Sequence, residues 1–137
     1  MRGAQREAGQ AMVENAILSI VFFTLLLFVV DGGRILWNYV TVADAARIGA
    51  RYAVVHGSKS TAPVGPGNYT ALVQNVRSAI VGLTTANLTV TATWTPNNSP
   101  GSSVTVDFTY LVQPITGIFW RGQTLTLRAR SVMVIQN

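Results

Sequence analysis

Ala11-Met-Val-Glu14-Asn-Ala-Ile-Leu-Ser-Ile20-Val-Phe-Phe-Thr-Leu-Leu-Leu-Phe-Val-Val30-Asp31 is the stretch whose reading decides the fold of this chain. A single charge, Glu14, lies within it before Asp31 closes it. As a helix rising about 1.5 Å per residue, Ala11 to Val30 covers roughly 30 Å, the thickness of one hydrocarbon core. A carboxylate at the edge of such a span is costly unless something positive meets it. Ahead of it stands a short polar leader, residues 1–9, carrying Arg2, Arg6 and Glu7. A secretory signal peptide would have a shorter apolar core with a small-residue cleavage site behind it. Here Asp31-Gly-Gly-Arg34 follows directly, so the stretch reads as a retained transmembrane helix.

The helical pattern continues past Asp31. Leu36, Tyr39, Val40, Ala43, Ala46, Ala50, Ala53 and Val54 recur at spacings of three and four, which predicts one apolar stripe. Asp44 and Arg47 have the i,i+3 spacing of an ion pair, with Arg51 on the same neighbouring face. His56-Gly57 supplies a basic residue and a glycine stop. One helix over residues 10–56 would be about 70 Å long. Within it, Gly32-Gly33 either kinks or partly melts the helix, or lets another backbone approach closely.

Residues 57–68 form a turn-rich linker, and residues 69–137 read as a small head. Leu72, Val73, Val76, Ala79 and Ile80 have helical spacing within Tyr69 to Val81. Three strand patterns follow. Leu88, Val90, Ala92 and Trp94 alternate with threonines. Val104, Val106, Phe108, Tyr110 and Val112 alternate with Thr105, Asp107 and Thr109. Leu125, Leu127 and Ala129 alternate with Thr126, Arg128 and Arg130, in a strand that runs on to about Ile135. Pro96 to Ser102 joins the first two as a long hairpin loop. The predicted class is α+β: a long N-terminal transmembrane helix, then a head with one short helix and a three-stranded antiparallel sheet.

Composition excludes several functions. With 137 residues the chain can form one small domain beyond its apolar segment. Its net charge of +5 is scattered, and no Lys/Arg block with interleaved aromatics suggests nucleic-acid binding. There is no cysteine, so disulfides, thiolate chemistry and cysteine metal sites are out. His56, the only histidine, sits where a helix-terminal His favours the dipole of the last turn. Glu7, Glu14, Asp31, Asp44 and Asp107 show neither pairing nor metal-ligand spacing, and no phosphate loop or nucleophile elbow is present. The expectation is a protein that is not an enzyme, with no cofactor and no metal. Asn68, Asn87 and Asn97 each begin an N-x-S/T triplet, a candidate glycan acceptor if the chain is exported in a glycosylating cell. Ile115-Thr-Gly-Ile-Phe-Trp120 would either fold under the sheet as an apolar plug or present Phe119 and Trp120 as a surface contact patch.

Gly9-Gln-Ala-Met-Val-Glu14, running straight into the apolar helix, resembles type IV pilin-like proteins, and more closely the TadE-like (pseudo)pilins of the Tad, or Flp, pilus system. Asp31-Gly-Gly-Arg34 with Tyr39 behind it, and Ala45-Ala-Arg-Ile-Gly-Ala-Arg-Tyr-Ala53, are similar to the segment just after the span in those proteins. Asn15 departs from the pattern, standing where an aromatic or apolar residue is usual. The resemblance implies that a prepilin peptidase cuts between Gly9 and Gln10, which leaves Glu14 as the fifth residue of the new chain.

Such a cut creates an α-amino group on Gln10 that is mostly charged near neutral pH. In a bundle of staggered, parallel helices, Glu14 of one subunit would meet the Gln10 amine of its neighbour and so fix axial register. A head-to-tail contact repeated without closure gives a helical filament. The expected protein is therefore a structural subunit of an extracellular Tad-type pilus, a homo-oligomer held in the cytoplasmic membrane before assembly. Its partners would be other pilins, the assembly machinery and the peptidase. A minor pseudopilin that primes or caps assembly, and a monomeric single-pass anchor whose head binds a ligand, are the alternatives.

Overall fold

The computed structural model describes residues 2–117 and 121–136, with side chains from residue 9 onward. Helix α1 runs Arg2–Val55 and α2 Thr70–Ala79; strands β1 (Leu88–Thr95), β2 (Ser103–Val112) and β3 (Leu125–Val134) follow, with a single 3-10 turn at Thr85–Asn87. The fold is α+β with a three-stranded antiparallel sheet, as the pattern predicts. β2 is central: Val106 lies opposite Ala92 on one side and Ser131 on the other. One face of β2, formed by Val104, Val106, Phe108, Tyr110 and Val112, is buried throughout. Alternation in the sequence becomes an inside and an outside of the sheet, because side chains point to opposite faces at period two.

The second half of α1 lies across this inner face beside α2. Its sheet-facing side is Asp31, Ile35, Asn38, Val42, Ala45, Ala46, Gly49, Ala50 and Ala53, spaced by three and four. Small residues here let the helix sit close to Val106 and Phe108. A Cβ on Gly49 would already lie 3.2 Å from Val76 Cγ2 and 3.4 Å from Val106 Cγ1. From α2, Leu72 and Val76 are fully buried in the same core, while Ala79 of its predicted stripe is exposed.

The predicted stripe of α1 is right at Ala46, Ala50, Ala53 and Val54 and wrong nearer the span. Leu36, Tyr39 and Val40 are exposed. There Leu36, Trp37, Tyr39 and Val40 stay on the open side, and the head covers the mostly polar side that carries Asp31, Ile35 and Asn38. α1 also passes unbroken through Gly32-Gly33, and no atom lies near enough to either glycine to touch an added Cβ. Within one chain, therefore, the pair is not a site of close backbone approach. The helix stops where predicted: the His56 N–H donates to the Tyr52 carbonyl at 3.2 Å, and the chain then turns.

Candidate functional site

The N-terminal half of α1 projects from the head as a bare helix. From Met12 to Val30 its large apolar side chains are exposed, and none of its most apolar window is covered by the rest of the chain. The only membrane-length apolar helix among the described residues is this one. Two of its hydroxyls are satisfied locally. Ser19 Oγ donates to the Asn15 carbonyl at 2.8 Å, and Thr24 Oγ1 to the Ile20 carbonyl at 2.7 Å. Back-bonding of this kind lets a hydroxyl face lipid without an unsatisfied donor.

Gly9, Gln10 and Glu14 are all exposed on this helix, near its start. Among the described residues, Glu14 has no hydrogen bond or ion pair. Its carboxylate stands about 26 Å below Asp31 along the helix axis. An acid at the edge of an apolar helix, accessible and unpartnered within its own chain, is suited to a contact between chains.

At the other end of the span the chain builds a junction between helix and head. Asp31, only 4% exposed, accepts the Ile115 N–H on one carboxylate oxygen and the Thr116 N–H on the other, both at 2.8 Å. The Thr116 hydroxyl donates to that second oxygen as well. One helical turn on, Arg34 Nη2 donates to the Gln113 carbonyl at 3.1 Å. A buried carboxylate is tolerated when its lone pairs are filled in this way. The turn after β2 is thereby fixed to the helix just where the apolar stretch ends.

This junction settles part of the fate of the Ile115–Trp120 run. Thr116 is buried, but Ile115 is 60% exposed, so Ile115 does not act as a plug. The reason is polar: Asp31 draws in the backbone and hydroxyl of Thr116, which turns Ile115 outward. Phe119 and Trp120 lie outside the described residues. Sequence reading did not assign Asp31 this role, because its partners stand 84 and 85 residues away.

The other singled-out residues are dispersed over the head. Asn68, Asn87 and Asn97 are exposed at three separate turns. Asn97 Oδ1 accepts the Ser99 N–H at 2.9 Å and the Ser102 hydroxyl at 2.8 Å, bracing the hairpin loop. His56 Nδ1 lies 2.8 Å from the Tyr52 carbonyl and its ring stacks on Tyr52 with centroids 3.9 Å apart. Asp44 and Arg47 form the predicted ion pair at 2.9 Å on the open side of α1. On the sheet's outer face Arg130 Nε donates to Asp107 at 2.6 Å, and that carboxylate raises the guanidinium pKa above its ordinary value.

Neither the curated proteins nor the solved structures include a significant match to this chain. Residues 9–51 match a family model, that of the TadE-like protein. The matched stretch, about a third of the chain, holds Gly9, Glu14, Asp31 and most of the sheet-facing turns of α1, and over it this chain is similar to that family.

Proposed function

We propose that this protein is a structural subunit of a Tad-type pilus that polymerises through the N-terminal half of α1. The observation that carries the reading is the bare helix. A membrane-length apolar surface is left uncovered, with Glu14 the one charged side chain from Gly9 to Val30. In the cytoplasmic membrane, lipid covers that surface. In a filament, identical helices replace the lipid. A prepilin peptidase cuts after Gly9, and Glu14 pairs with the new amine of Gln10 on the neighbouring subunit. Leaving a buried acid unpaired is strongly unfavourable, so the pair selects one stagger over all others. The head then faces outward, extracellular, with Asn68, Asn87 and Asn97 open to modification.

Glu14→Gln tests this directly, because it removes the charge at constant shape and touches nothing in the head. The variant should reach the membrane in normal amounts and yield no fibres. Fibres of unchanged number and length would refute the pairing. Stoichiometry in the fibres separates a main subunit from one that only primes or caps them.

A further inference from the structure

Three stretches of chain meet where the span ends. The turn after β2 is tied to Asp31, which sets Ile115 at that level. The turn after α2 approaches the helix about two turns farther on, where a Cβ added to Gly82 would lie 3.7 Å from Trp37 Nε1. The third stretch is α1 itself between Leu36 and Val40. Each presents large apolar groups to the outside: Val81 is 74% exposed, Leu36 67%, Trp37 63% and Ile115 60%. Trp37, Val40 and Ile48 also line a groove of about 300 Å³ against Ala79–Val81. Along the helix axis the collar from Asp31 to Val40 is about 13 Å deep.

The turns at the opposite end of the head differ in kind. Ser58, Lys59, Ser60 and Thr61 come after α1, and Pro96-Asn-Asn-Ser-Pro-Gly101 joins β1 to β2. The other exposed valines of the sheet, Val132 and Val134, lie on its outer face rather than in these turns. Among the described residues, the turns that carry large exposed apolar groups are those beside α1 at the end next to the span.

We propose that this collar is a lipid contact. In the membrane-held form, the end of the head next to the span, with the open side of α1 there, rests in the interfacial layer of the bilayer. Trp37, Val81 and Ile115 sit there among headgroups and upper acyl segments. The occupant follows from continuity: the apolar surface of the collar begins within one or two turns of the end of a membrane-length helix. Its chemistry suits that layer, since a ring like that of Trp37 combines an apolar body with a polar edge. The proposal rests on the membrane-anchored reading of α1, and it is independent of whether the chain polymerises.

The absence of cysteine allows clean labelling of the full-length chain. Val81→Cys, Ile115→Cys and, as a distal control, the exposed Ser58→Cys are each coupled to a polarity-sensitive fluorophore. Each is then reconstituted in phosphatidylcholine/phosphatidylglycerol vesicles. Flotation reports anchoring separately. The expected result is several-fold brighter, blue-shifted emission at positions 81 and 115 than at 58. Lipids spin-labelled near the headgroup should quench that emission. Emission at 81 and 115 matching that at 58, in a chain that floats, overturns the collar and leaves the anchor standing. A shift that appears only at high protein-to-lipid ratio assigns the surface to a second copy and also overturns it. A chain that does not float removes the anchor reading and the collar together.

Discussion

Asp31, the first residue after the apolar stretch, holds Thr116 by both its backbone N–H and its hydroxyl, across 85 residues of sequence. This relationship ties the turn after β2, and through it the central strand, to the base of the helix. A force applied along α1 therefore enters the sheet where the apolar stretch ends.

Replacing Asp31 by Asn should loosen that junction. Hydrogen bonds to a charged group contribute about 1.5–3 kcal/mol each, and Asn presents an NH2 group where an acceptor is needed. Amide exchange at Ile115 and Thr116 should speed up by at least about 30-fold, equivalent to about 2 kcal/mol. Unchanged protection would show that the turn is held by something else.

Gly49 decides how closely helix and sheet approach, because Val76, Val106 and Phe108 already occupy the space a side chain would need. Gly49→Leu should destabilise the head by about 3 kcal/mol, the upper part of the usual overpacking range. Denaturant unfolding monitored at Trp94, buried in the same core, reads the loss.

Gly32 and Gly33 present the opposite case. Both sit in open helix with nothing near, so alanine meets no obstacle. Each substitution should stabilise the isolated subunit's helix by up to about 1 kcal/mol through propensity alone. Slower amide exchange over residues 29–36 in detergent-held monomer would register this gain.

The Asp107–Arg130 pair has short geometry, yet Arg130's side chain is 69% exposed. Solvent and salt screen such pairs, which contribute little to stability. Arg130→Gln should therefore leave the unfolding midpoint nearly unchanged, whereas Phe108→Ala, on the buried side of β2, should cost about 3–5 kcal/mol. Parallel unfolding curves for the two variants check the ordering.

The sheet was legible in the sequence because each strand turns one face inward, buried along β2 and half-buried along β3, so alternation alone orients Val106, Phe108 and their neighbours. The span was equally plain. Helix orientation beyond it was legible only from Ala46 onward. Between Leu36 and Val40 the apolar side chains lie on the open side and the covered residue is Asn38, so apolar periodicity points to the wrong face. Gly9, Gln10 and Glu14 are proposed from one short segment, residues 9–14. The Asp31 junction was not legible in the sequence, since its partners come together only when β2 is laid along α1.

The central claim is that α1 is cut after Gly9 and then packs helix to helix in a fibre. Intact mass and N-terminal sequencing of protein sheared from cell surfaces measure both at once. Chains beginning at Gln10 in sedimentable fibres are the predicted result. Chains beginning at Met1 and confined to membranes would contradict it, and the protein would then act as a single-pass anchor for its head.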